Sequence, residues 1–164
     1  MLSIICNDAK YANRIRRVLQ KYREAEASET RAWTCFMLGR CLGRLGDPGS
    51  IDLLLDILAN DPTEASLGKN PPPTHIVYQA WRPFHRPAAA WSLGELKAEK
   101  AVPVLLQILG DYNNAASTRE QAAVALGKIG DKSCLEELTK LGEDYPEITT
   151  RRAILESIKQ ISEE

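Results

Sequence analysis

The chain has 164 residues, enough for one domain that buries roughly 70% of the surface its unfolded form exposes. Its formal net charge of −1 and a pI near 6.2 exclude a global attraction to nucleic acid or to an anionic membrane, so such affinity would need a local patch. No apolar run approaches the roughly 20 residues of a membrane-spanning helix, and the opening MLSIICNDAK lacks the basic start and apolar length of a secretory signal. Cys6, Cys35, Cys41 and Cys134 form no C-x-x-C pair and lie in apolar or helical contexts, which predicts reduced thiols in a soluble cytoplasmic protein.

In chain order, the first predicted element is an N-terminal helical cap within residues 1–28. It carries Ile15, Val18, Leu19 and Tyr22 on one face and Arg14, Arg16, Arg17, Lys21 and Arg23 on the other. Glu24, Glu26 and Glu29 are expected to answer that positive face. Residues 29–60 form a first repeat, in which Asp47-Pro48 opens the second helix with proline at its first position. Residues 61–84 are an insertion. Pro71, Pro72 and Pro73 make it extended, Thr74 then caps a short helical turn through Trp81, and Pro83 stops that turn.

A second repeat spans 85–111, a third 117–143, and a C-terminal half-repeat 148–164. The repeats align without gaps: 119–141 lies over 86–108 at a shift of 33 residues, so that Leu93-Gly94 falls on Leu126-Gly127 and Leu105 on Leu138. The first copy, with Leu42-Gly43 and IDLLLDIL, matches at a shift of 51, and RRAILESIKQIS matches at 32. Ala122, Ala125, Leu126 and Ile129 recur at helical spacing before Leu135, Leu138 and Leu141, so each unit reads as two amphipathic helices. Ser117-Thr118-Arg119-Glu120 has the pattern of a capping box. Gly43, Gly94 and Gly127 recur near the ends of first helices, where glycine costs about 1 kcal/mol relative to alanine. Either a left-handed cap or the close approach of the next helix requires them, and the crowding explanation predicts the change to Lys159 at the equivalent place in the last copy, which no second helix follows.

One such pair cannot bury its own apolar face, whereas stacked pairs share a continuous core. The prediction is an all-α, right-handed α-solenoid. The third copy, residues 119–131, resembles the HEAT-like repeat of the phycobilisome-lyase type, whose pattern is R-x-x-A-A-x-A-L-G-x-I-G-D; the second copy departs with Lys97-Ala98 in place of Gly-Asp. The resemblance covers about two thirds of the chain and implies an armadillo-type fold that serves many functions.

Chemistry-bearing residues are sparse. His75 and His85 stand ten residues apart with no adjacent carboxylate, so no metal or cofactor is expected. A HEAT-like iron enzyme of the deoxyhypusine hydroxylase kind carries paired His-Glu motifs, and their absence sets that class aside. Cys35 and Cys41 fall among Trp33, Phe36, Leu38 and Leu42, a packing context, so no catalytic residue is assigned. Lys69, Arg82 and Arg86 are few cations for a phosphate backbone, which disfavours nucleic acid.

Protein binding is what the remaining residue types favour, because Trp, Tyr and Arg dominate interface hot spots. The candidate partner-binding residues are Tyr78, Trp81, Arg82, Phe84, His85 and Trp91. Trp91 shares its register with Arg40, Val124 and Glu156, an exposed position, and so is either covered by the insertion or joined to it in a patch. The sequence therefore predicts a non-catalytic interaction or assembly module with a protein partner or a larger complex and no membrane. The family resemblance supplies an alternative, a phycobilin lyase subunit.

Overall fold

The structure is a computed structural model, and it describes residues 9–24, 29–60 and 85–163. The 61–84 insertion, with Thr74, Tyr78, Trp81, Arg82 and Phe84, and Cys6 at the start of the chain lie outside the described residues. Among the described residues there are eight α-helices and no strand: α1 Ala12–Glu24, α2 Glu29–Leu45, α3 Ile51–Asn60, α4 His85–Glu95, α5 Val102–Gly110, α6 Ala116–Ile129, α7 Leu135–Glu143 and α8 Ile148–Glu163. The architecture is an all-α solenoid.

The helices form because their apolar residues fall on one face. In α3, Leu54, Ile57 and Leu58 are buried; in α5, Val102, Leu105, Ile108 and Leu109 are buried. A short 3-10 turn leads into each second helix, at Pro48–Ser50, Glu99–Ala101 and Lys132–Cys134. Asp47 caps the first of these, accepting hydrogen bonds from the Gly49 amide at 3.3 Å and from Ser50 Oγ at 2.6 Å.

The first helices α2, α4, α6 and α8 pack side by side, whereas the second helices α3, α5 and α7 meet one another only marginally. The recurrent glycines lie in the first row, and their φ angles are not left-handed. A Cβ on Gly43 would stand 2.7 Å from Ser92 Cα, one on Gly94 2.8 Å from Ala125 Cα, and one on Gly127 2.8 Å from Ser157 Oγ. Close approach of the next helix, not a left-handed cap, is what requires glycine. In α8 the equivalent Lys159 is exposed. Ser92 Oγ donates to the Gly39 carbonyl at 2.9 Å and Ser157 Oγ to the Ala123 carbonyl at 2.7 Å, both across these junctions.

Arginines tie the opposite ends of the first helices. Arg86 Nε donates to the Leu58 carbonyl that ends α3, at 2.7 Å, and Arg86 Nη1 to Asn114 Oδ1, at 2.8 Å. Arg119 donates to the Tyr112 carbonyl at 3.0 Å and to the Asn114 carbonyl, and pairs with Glu147. Arg151 does the same for the Gly142 and Glu143 carbonyls that end α7. These cations sit where the helix dipole leaves carbonyls unpaired.

Local expectations are corrected at two places. Helix α6 starts at Ala116 with Ala115 as its cap residue and no side-chain cap, because the Thr118 and Arg119 amides both donate to the Ala115 carbonyl; Ser117 is therefore inside the helix. On α1, Arg16 pairs with Asp47 at 2.7 Å and Arg23 with Asp56, while Glu26, one of the acids expected to answer this face, lies outside the described residues. Cys35 and Cys134 are buried thiols outside any disulfide, but Cys41 is disulfide-bonded, against the expectation of four reduced cysteines. Among the described residues no helix is long and apolar enough to cross a membrane.

Candidate functional site

The first-helix row brings equal register positions of adjacent repeats into contact, because the glycines let the helices close on one another. At the register of Trp91 this produces a stack. The Arg40 guanidinium of α2 lies 3.9 Å from the centre of the Trp91 ring in α4 and 5.7 Å from the Phe36 ring. On the other repeat's side, Lys128 Nζ of α6 is 5.0 Å from the same indole and is ion-paired with Glu95. A cation over an aromatic face contributes about 0.5–2 kcal/mol, more as the site is dehydrated. Trp91, Arg40, Phe36 and Lys128 are all half-buried, and Glu95 is exposed.

Of the candidate residues read from the sequence, His85 and Trp91 lie within the described residues. Trp91 is covered by Arg40 and Lys128 from the neighbouring repeats. His85 is only 3% exposed and begins α4 beside Leu19, Cys35, Leu54 and Ile57, so its ring is part of the interior and not of the surface that Trp91 shares. Sequence reasoning did not find the pairing of Arg40 and Lys128 with Trp91. The signal was present in the register: Arg40 shares the position of Trp91 one repeat back, and Glu95 shares that of Lys128.

Elsewhere the chemistry is quiet. An open groove of about 620 Å³ is lined by Tyr112, Ser133, Glu136, Glu137, Lys140, Leu141 and Asp144. Burial pushes the Cys134 thiol up, away from the thiolate that a nucleophile needs. Tyr145, whose hydroxyl donates to the Leu109 carbonyl at 2.6 Å, is pushed up to about 12, chiefly by burial. Its phenol is a structural tie.

A family model described as HEAT repeats matches residues 76–160. Deoxyhypusine hydroxylase of Saccharomyces cerevisiae is 34% identical over 73 residues, which is 44% of this chain and 22% of that protein. The enzyme of Danio rerio is 42% identical over 55 residues, 34% of this chain and 18% of that protein, and the Homo sapiens enzyme is 36% identical over the same length. The chain thus spans 18–23% of the length of these first curated relatives. Among solved structures, human deoxyhypusine hydroxylase in complex with glycerol is similar at 18% identity and a TM-score of 0.46, covering 96% of this chain and 75% of that one.

These names overturn the expectation of a non-catalytic assembly module and its phycobilin lyase alternative, and the reading that set the hydroxylase class aside. The relatives carry the name of an enzyme, and these are not bilin lyases. The physical reason for the error is that a repeat signature such as Leu126-Gly127 reports how helices pack, a requirement that enzymes and scaffolds share. The iron implied by the hydroxylase resemblance would need converging donors. Among the described residues no group of three or more His, Cys, Asp or Glu lies together, so those residues do not fit it.

Proposed function

We propose, for a chain that belongs to the HEAT-repeat family, that it acts within an enzyme of the deoxyhypusine hydroxylase kind, as part of the repeat framework of that enzyme. The observation that carries this reading is the 34% identity over 73 residues with the yeast hydroxylase, in a chain whose described residues stack as repeats. The described residues supply the frame and not the metal donors. Within the family, the repeat pattern is assigned to the phycobilisome-lyase type on the residues of 119–131 alone, with no bilin chemistry attached. A protein partner belongs to the same reading.

The test is to purify the tagged chain from its source with whatever it retains, and to assay a deoxyhypusine-bearing substrate for the gain of one oxygen atom by mass spectrometry. Activity should travel with the chain and be depleted from the extract. If the extract converts the substrate and the purified material does not, this reading is lost. The proposed setting is the cytoplasm, supported by the thiols of Cys35 and Cys134, which form no disulfide, and opposed by the Cys41 disulfide. Alkylation of freshly isolated, denatured protein without reductant tests the setting: labelling of all four cysteines supports the cytoplasm, and labelling that spares Cys41 places the chain in an oxidising compartment.

A further inference from the structure

We propose that the face built by Arg40, Arg44, Trp91 and Lys128 docks an acidic segment of a protein partner. The inference stands apart from the hydroxylase reading, because it uses only the stack on the first-helix row.

Arg40 is held differently from the arginines that have polar partners. Arg16, Arg23 and Arg119 each pair with a carboxylate, while Arg86 and Arg151 are held by carbonyls and, for Arg86, by Asn114. Arg40 is held by rings alone: its guanidinium is 3.9 Å from the Trp91 centroid and 5.7 Å from that of Phe36, and among the described residues no carboxylate pairs with it. Stacking fixes the plane of a guanidinium and leaves its edge donors facing outward, the geometry that a carboxylate meets with two parallel hydrogen bonds. The cost of ordering the side chain is already met by the rings, so an incoming acid gains more of the interaction.

The surroundings favour the same ligand. Arg44 lies one helical turn beyond Arg40, is exposed, and pairs with no carboxylate among the described residues. Lys128 holds the other side of Trp91, with Glu95 as the acid that answers it. Arg40 on its half-buried indole and Arg44 one turn away, neither paired with a carboxylate among the described residues, suit a short run of glutamate or aspartate. Three cations in a chain of net charge −1 are too few to bind a polyphosphate backbone well.

The test is fluorescence anisotropy of a labelled deca-glutamate peptide titrated with the full chain. A deca-lysine peptide and a single-stranded oligonucleotide of matching charge serve as comparisons. Saturable binding of the glutamate peptide is expected, weakened about tenfold or more by R40Q, the loss of a charge-assisted pair, and hardly at all by R14Q on α1. R40K should fall between, because lysine keeps the charge without the planar fork. Should R40Q lose its helical circular dichroism, R44Q reads the same face, with a several-fold loss expected. Absence of saturation, equal losses in R40Q and R14Q, or no loss in a folded R44Q overturns the proposal. Tighter binding of the oligonucleotide overturns it in favour of a phosphate site.

Discussion

The turn that follows α4 and the turn that follows α6 occupy the same place in consecutive repeats and are built from different residues. After α6, Gly130 takes a left-handed φ of 77° and Asp131 caps the next turn by accepting from the Ser133 amide at 2.8 Å. After α4, Lys97 takes a φ of 47°, a region that costs a residue with a Cβ roughly 1–2 kcal/mol, and Ala98 offers no cap. Both turns put a left-handed residue at the same register and lead into a 3-10 turn. The stacking of Gly94 against Ala125 and of Gly127 against Ser157 therefore dictates the path, and the turn residues follow it at unequal cost.

The most damaging way to break this comparison is to remove what the two turns share. G94V drives a branched side chain into the Ala125 backbone and should cost about 3 kcal/mol, read as a lower urea midpoint. The next test addresses what they do not share. G130A should lose about 1 kcal/mol, whereas K97G should gain about 1 kcal/mol, and the opposite signs of two shifts in thermal midpoint would sharpen the comparison. Equal effects at both turns would show that Lys97 is not strained.

The smallest effect is expected in acid. The bond from the Ser133 amide holds the Asp131 carboxyl below its ordinary value of 3.8. A depressed pKa means that the folded state binds the proton less readily than the unfolded one. The contribution is present above the unfolded pKa and is lost as pH falls through the folded one. D131N should therefore flatten part of the stability decline below about pH 4 while leaving neutral stability nearly unchanged, since asparagine still caps. The Lys97-Ala98 turn has no carboxylate in the capping place.

Much of this was legible in the sequence. The period of Ala122, Ala125, Leu126 and Ile129 gave helices, the shift of 33 gave their stacking, and Lys159 in the last copy pointed to crowding as the role of Gly94 and Gly127. Other features needed the third dimension. The left-handed backbone at Lys97 is imposed by its neighbours and not by its own propensity. The start of α6 at Ala116 depends on which carbonyl the Thr118 and Arg119 amides choose, and Ser117 gave a misleading local signal. The cover over Trp91 comes from one residue in each adjacent repeat, a relation visible only once equal registers are seen to touch. The similarity to proteins named as enzymes is not something a packing signature could reveal.

The arginine ties have a mechanical consequence. Helices α4, α6 and α8 are fastened near their starts by Arg86, Arg119 and Arg151, and neighbouring first helices close on one another near their ends at Gly43, Gly94 and Gly127, so the first-helix row behaves as a stiff ribbon anchored along two lines. The second helices barely touch, and they form the compliant flank. A bending force on the solenoid is then taken up by spreading or closing that flank, while the spacing of Arg40, Trp91 and Lys128 on the ribbon stays constant. A ligand held there would ride on the rigid element of the spring.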